Sequence, residues 1–434
     1  MGKNALSETV EVKRMTNEKM ECQEARLLMV GFTVPDKTME EICRVDPSPQ
    51  VQSHKHSWNI IRGLEEHAGT SVDLLSSLPI TTFPGSRRLF VGYHKWDREN
   101  GSTGVCMPFV NLLVLRHITR FVACFVFTCR WLLRNRRSKE RLILLYNLHT
   151  AHTYAVLLAS RLSGAKIVSI VADPPGGQRP REWFLRRMLR RFDNWLHVRG
   201  MRAMDGQICL TSQLATEYAP RVPVLVVEGV IAEDSLDHPD EAPHSELRDR
   251  EAGAFVVMYA GQLVEKFGIQ MLLDAFSLIR NSDYRLWLFG KGAMEKTIRD
   301  ACIKDKRITY WGFVPNDIIL QKSQEATLLI NPRPSNHRFT RFSFPSKLLE
   351  YMTSGRPVVT TILPGIPSEY HPHLYLLEDE TARGLADLLK SLHDRPRSEL
   401  NKRGQRAKHF VLQKKTCSYQ GERIWRFLQS VLVS

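Results

Sequence analysis

At 434 residues the chain is too long for one ordinary core, at roughly 100 to 200 residues per domain. With 43% hydrophobic and 25% charged residues, the composition excludes a fibrous, low-complexity or disordered protein. Lys plus Arg number 61 against 46 Asp plus Glu, a net charge of +15 that favours polyanionic partners.

In chain order, residues 1–25 are polar and lack the apolar run of a secretory signal, so a cytoplasmic location is expected. Strand-like apolar runs then alternate with helical patterns: 27–30, 72–75, 89–91, 142–146, 167–171, 208–210 and 224–227. This alternation predicts a parallel sheet with helices on both faces, the first domain, over 26–232. The apolar region 109–133 is interrupted by Arg116, His117, Arg120 and Arg130, so it falls short of the roughly 18 uncharged residues a membrane span requires. Residues 233–253 are rich in Asp, Glu, Pro, His and Arg and read as a linker. A second alternation, 255–259, 285–289, 308–311, 327–330, 358–361 and 374–377, predicts a second doubly wound α/β domain over 254–406. In 407–434, Phe410, Val411, Ile424, Trp425, Phe427 and Leu428 suit a final helix returning to the first domain. The eight cysteines are scattered and imply neither a zinc site nor a disulfide framework.

Ligands of open parallel sheets bind beyond the carboxyl ends of the strands, so chemistry is sought directly after them. After the strand ending at Ile330 comes Asn331-Pro332-Arg333, a basic loop, and then Ser343-Phe344-Pro345-Ser346-Lys347 opening a helix. Serine followed by proline is a good helix start, with Ser343 expected to cap a free amide. The open amides and dipole of such a terminus attract anions, and Arg333 and Lys347 add charge suited to phosphate oxygens. Glu350, one turn further, is a carboxylate able to accept two hydrogen bonds from a vicinal diol such as a ribose. A second loop, Tyr259 to Gly268, leaves a strand and enters an amphipathic helix. Its Gly261 and Gly268 are expected to admit a ligand close to the backbone, with Lys266 in reach of a diphosphate. Gly290-Lys291-Gly292 reads as an ordinary turn.

These residues resemble the retaining, nucleotide-sugar-dependent glycosyltransferases of family 4, whose GT-B fold is two facing Rossmann-like domains with a C-terminal crossover helix. The resemblance is carried by YAGQL with Lys266 and Gly268, by LWLFGKG, ITYWGFV and ATLLINPR, and above all by SFPSKLLEYMTSGRPVVTT. It is good over 256–389 and looser over 27–228. It implies that Lys266 binds the donor diphosphate and that Glu350, the second glutamate of the E-x7-E motif, holds the ribose. It also places the backbone of Phe313 and Val314 against the nucleotide base. Two departures stand out. The first glutamate of the motif, assigned to donor sugar hydroxyls, falls at Phe342, and an arginine often found beside the diphosphate falls at Gln262, leaving Arg333, Ser343 or Lys347 to compensate; Ser346 is a further donor-binding candidate. FPSK variants of the motif occur in bacterial polysaccharide and cell-envelope enzymes.

The first domain is then expected to bind the acceptor. Asp173 directly follows a strand and is a candidate to orient or deprotonate the acceptor hydroxyl, with an ordinary Asp-Pro turn as the alternative. His149 and His152 follow the 142–146 strand, where packing is favoured over catalysis. Residues 108–206 hold 18 Arg plus Lys against 5 Asp plus Glu, nearly the whole excess of positive charge. Within them 181–196 places Phe184, Leu185, Met188, Leu189, Phe192 and Leu196 on one helical face beside Arg186, Arg187, Arg190 and Arg191. Such a basic amphipathic helix reads as a membrane-surface element, peripheral on the inner face of the cytoplasmic membrane; no nucleic-acid module is recognised. The expected activity is transfer of a sugar from a nucleoside diphosphate sugar to a hydroxyl of a lipid-linked or envelope glycan acceptor, without a metal or other cofactor. A nucleotide-sugar epimerase on the same fold and a non-catalytic envelope-assembly scaffold stay open as alternatives.

Overall fold

The apolar runs pair as two parallel sheets in the computed structural model, which describes residues 25–174, 184–218, 221–232, 253–337 and 339–433. The amino-terminal tail up to residue 24 and nearly all of the 233–253 linker lie outside the described residues. In spatial order the second sheet is Ile308–Gly312, Tyr284–Phe289, Phe255–Ala260, Leu328–Asn331, Val358–Thr361 and Tyr375–Leu377, all parallel. Its first strand in sequence therefore lies in the middle, and the chain winds outward from it to both sides. Every residue of Phe255–Ala260 is buried, because helices cover both faces; that is why the strand reads as one unbroken apolar run rather than an alternation.

The first sheet repeats this winding. Its order is Val224–Val226, Gly206–Cys209, Lys166–Val171, Arg141–Tyr146, Arg26–Gly31, Val72–Ser76, Thr103–Cys106 and His94–Asp97. Two of these strands were not legible. His94–Asp97 is a polar, mostly exposed edge strand, antiparallel to Thr103–Cys106, whose Gly104 lies against the Trp96 ring. The expected strand 89–91 does not join the sheet. It shortens to Phe90–Val91 and pairs antiparallel with Phe109–Val110 in a separate ribbon.

The region 109–133 contributes the helix Leu115–Arg134. Among the described residues no helix is long and apolar enough to cross a membrane. The closing stretch is two helices, Arg397–Lys414 and Cys417–Val433. Phe410 and Val411 on the earlier one join the second sheet's core, whereas Ile424 and Leu428 join the first sheet's. The break between them pairs with the chain entering from the first sheet: Ile231 N–H donates to the Lys415 carbonyl at 2.8 Å, and Cys417 N–H to the Ile231 carbonyl at 2.8 Å. Beside this crossing, buried Lys415 Nζ donates to Glu228 at 3.1 Å and to Glu369 at 2.7 Å, so one ammonium joins carboxylates from both halves. The last helix then lies against Val51–Ala68 with Gly63 and Gly421 in contact. A Cβ on Gly421 would stand 2.0 Å from the Gly63 carbonyl oxygen, so no larger residue fits this crossing.

Candidate active site

In the second sheet the winding reverses between Phe255–Ala260 and Leu328–Asn331, where a ligand crevice opens in such sheets. The loops leaving these two strands are clamped together. Gly268 has φ +80°, and a Cβ there would stand 1.9 Å from the Pro332 carbonyl oxygen. Gly261 and Gly268, expected to bring backbone against a ligand, each leave room for a neighbouring group. The missing side chains admit other parts of the protein, the Pro332 backbone at Gly268 and, at Gly261, the Tyr259 hydroxyl, which donates to the Gln262 carbonyl at 2.9 Å.

This clamp gathers two cations. Lys266 Nζ lies 5.2 Å from the centroid of the Phe267 ring and 5.3 Å from that of Phe339. The Arg333 guanidinium lies 4.5 Å and 5.6 Å from the same two centroids. Ring faces attract cations but leave their charge uncancelled, and among the described residues no carboxylate pairs with either. Arg333 Nη1 donates to Ser343 Oγ at 3.3 Å, and its buried Nε has no partner. Burial lowers the guanidinium pKa, but a group this basic stays charged. Ser343 was expected to cap the next helix. The helix Ser346–Thr353 instead has Pro345 at its N-cap and no side-chain cap, because Ser343 stands too far upstream and receives Arg333. Leu348 N–H donates to the Pro345 carbonyl at 2.8 Å, and with no capping side chain the amides of Ser346 and Lys347 are left for solvent or an anion.

Glu350 sits on this helix, which Tyr351 ties to the neighbouring strand: its hydroxyl accepts from Ala260 N–H at 2.7 Å and donates to the Ala260 carbonyl at 3.0 Å. Lys347 Nζ donates to Glu350 at 2.5 Å, so Lys347 is engaged with the carboxylate rather than standing free for phosphate. Phe313 is 74% exposed beyond the edge strand, under Lys291 Nζ at 4.9 Å, while Val314 packs on the second sheet's core. Gln262 is exposed. Phe342, where the resemblance expects a carboxylate, is buried among Val171, Met201, Cys209 and Leu214 of the first sheet's half. It joins the two halves as an apolar plug.

The facing wall comes from the first sheet. A cavity of about 290 Å³ between the halves brings Ser346 and Glu350 together with Asp173, Tyr146 and His56. Lys266, Arg333, Ser343 and Lys347 are not part of its lining; Lys266 and Arg333, with Ser343, belong to the clamp. Burial among protein atoms raises the Asp173 carboxyl pKa. Tyr146 Oη and His56 Nδ1 are 2.9 Å apart, and burial lowers His56 to about 4, so the imidazole is neutral with its Nε2 unpartnered. Sequence reasoning missed His56. It belongs to an ordinary amphipathic helix, and only the packing of that helix beside the 141–146 strand brings it to the cleft. His152 is buried, with Nε2 2.9 Å from Ser77 Oγ, and His149 lies against His117 and His152 at 5.2 and 5.1 Å between ring centroids.

Residues 254–395 match the family described as Glycosyl transferases group 1. No curated protein matches the sequence. Among solved structures, the chain is similar to sucrose-phosphate synthase from Thermosynechococcus elongatus, at 14% identity and a TM-score of 0.61 over 93% of this chain and 100% of that one. HepE from Anabaena, in complex with UDP, is similar at 14% identity and a TM-score of 0.57, over 93% and 100% of the two chains. The lipopolysaccharide outer core galactosyltransferase WaaB, in its apo form, aligns at 12% identity and a TM-score of 0.60, over 93% and 99%. At such identities the likeness establishes the fold, which is GT-B.

Proposed function

We propose that the protein is a nucleotide-sugar-dependent glycosyltransferase that moves a hexosyl unit, with retention at the anomeric carbon, to a hydroxyl of a lipid-linked or envelope glycan. The observation that carries this reading is the pair Lys266 and Arg333, seated on the same two phenyl rings with no carboxylate partner, next to an uncapped helix terminus that leads to Glu350. A diphosphate leaving group gains negative charge as the glycosidic bond breaks. Fixed cations and amides facing that charge stabilise the transition state more than the ground state. Glu350 receives the ribose hydroxyls, its Lys347 partner holding the carboxylate in place. Phe313 and Val314 border the base. Asp173, across the cleft, orients the acceptor hydroxyl. The donor sugar hydroxyls are left to groups other than Phe342, such as Ser343 and Ser346.

A membrane-peripheral site of action is supported by the outer surface of the first half. The helix Phe184–Met201 exposes Phe184, Met188, Leu189, Phe192 and Trp195, and Leu115–Arg134 exposes Ile118, Val122 and Val126. Arg187, Arg191, Arg130 and Arg134 are exposed on the same helices, a combination suited to anionic lipid at the cytoplasmic face. Thermal-shift titration with UDP, GDP and their sugars tests the donor assignment, since a ligand bound to the folded state raises the melting temperature. Glu350→Ala is expected to weaken the nucleotide sugar about tenfold or more, the scale of hydrogen bonds to a charged group. Absence of any shift with every nucleotide would overturn the reading.

A further inference from the structure

The first sheet has its own reversal of winding, between Arg26–Gly31 and Arg141–Tyr146, and a cavity of about 620 Å³ opens beyond it. The walls include Phe32 after one strand, Asn147 and His149 after the other, and Arg116 and Arg120 from the helix Leu115–Arg134. The cavity shares Gln52, Ser53, Ala172 and Asp173 with the smaller cavity that reaches Glu350, so the two are continuous past Asp173.

Arg120 is only 1% exposed. Its Nη2 donates to the Leu78 carbonyl at 3.2 Å, its guanidinium lies 4.0 Å from the centroid of Phe109, and its Nε is buried without a partner. Arg116 donates to Thr82 Oγ1 and, at 3.3 Å, to the Ile80 carbonyl; its Nε is likewise buried and unpartnered. Among the described residues neither forms an ion pair with a carboxylate. Of the nearby acids, Asp46 acts on Arg116 through its charge without touching it and accepts from the amides of Ser48 and Thr81, and Asp193 accepts from Thr150 Oγ1 at 2.5 Å. Burial together with the neighbouring Arg116 charge lowers Arg120 to about 9. Burying an unpaired charge is costly, and two guanidiniums side by side raise that cost. The geometry is that of an anion site whose counter-charge comes from a ligand.

The same helix turns Ile118, Val122 and Val126 outward, and Leu112 to Leu115, immediately before Arg116, are exposed as well. A cationic cavity beside an apolar approach matches an amphiphile with an anionic head. We infer that the first-sheet cavity holds the acceptor by a phosphoryl group, gripped by Arg120 and Arg116, with the acceptor's apolar chain along the start of the Leu115–Arg134 helix and its hydroxyl end directed past Asp173. The role as acceptor rests on the glycosyltransferase reading; binding of the phosphoryl group does not.

The test uses the full chain and three probes: decyl diphosphate below its micelle concentration, inorganic pyrophosphate, and decanol. Binding is measured by calorimetry in the wild type, Arg120→Met and Arg120→Lys. Decyl diphosphate is expected to bind the wild type, to bind Arg120→Met at least about tenfold more weakly, and to recover in part with Arg120→Lys. The unliganded Arg120→Met protein is expected to melt at a higher temperature than the wild type, because a buried unpaired charge has been removed; a merely structural arginine would give the opposite shift. If inorganic pyrophosphate shows the same Arg120 dependence and equal affinity, the phosphoryl site stands and its source is a soluble phosphate. Decanol binding as tightly as decyl diphosphate, or no loss with Arg120→Met, would overturn the assignment. UDP titration of the same variant separates the two readings: a nucleotide shift that persists in Arg120→Met locates the donor elsewhere, and failure of every nucleotide leaves the diphosphate result unaffected.

Discussion

The two halves wind their strands in the same order around a central first strand, yet dress the result differently. In the second half the flanking helices follow the usual rule. Ala382–His393, for example, buries Leu385, Ala386, Leu389 and Leu392 and turns Asp387, Lys390 and Ser391 to solvent. In the first half Leu115–Arg134 runs against that rule, burying Arg120, Cys124 and Thr128 while exposing Ile118, Val122 and Val126. Leu158 and Leu162 beside it, and the apolar residues of Phe184–Met201, continue the exposed surface. The unpaired cations differ in the same sense. Lys266 and Arg333 meet on two phenyl rings at a clamp of two loops, whereas Arg120 is buried under a helix that turns apolar residues outward. Equal topology therefore says little about ligand chemistry, which follows from where each half places charge without a partner.

The largest effect that sharpens this contrast is expected in the second half. Lys266→Ala and Arg333→Ala should each lower kcat by about 10²- to 10³-fold, the usual consequence of removing one group that stabilises developing negative charge. Steady-state kinetics with a nucleotide-sugar donor would show it, and unchanged kinetics in both folded variants would remove the diphosphate assignment. The next effect belongs to the first half and to pH. Burial, reinforced by the charges of Arg120 and His117, lowers His152 to about 3. An unfolded histidine takes up its proton near 6.5, so between 6.5 and 3 the unfolded state binds the extra proton. The stabilisation is complete above 6.5 and is lost as pH falls, about 3 kcal/mol by pH 4. Denaturant melts from pH 7 to pH 4 should show the loss, and His152→Asn should reduce it by that share, the depressed His56 and His149 contributing losses of the same sign. The smallest effect tests the outer surface. Val122→Glu combined with Phe192→Glu should weaken binding to anionic vesicles about tenfold in a sedimentation assay, with nucleotide-induced melting shifts unaltered.

The inner strands of the second sheet were legible because they are buried on both faces, which leaves an apolar run. The polar edge strand His94–Asp97 was not, since nothing buries it. Lys266 and Arg333 were legible as residues of loops after strands, and Glu350 as a residue of the helix that follows. Their arrangement was not: that Lys347 pairs with Glu350, that Ser343 receives Arg333 instead of capping a helix, and that Phe342 joins the two halves are contacts between segments far apart in sequence or turned in ways no spacing dictates. His56 carried no local signal.

By itself the amino-acid order determined two parallel sheets, the loops that carry charge after their strands, and the concentration of positive charge in the first half, because periodicity and composition are local properties of a chain. Only the tertiary structure decided which of those charges find a partner. Arg120 reads in sequence as a mere interruption of an apolar stretch; folding turns it inward, with no carboxylate partner among the described residues, while Ile118, Val122 and Val126 of the same helix face outward.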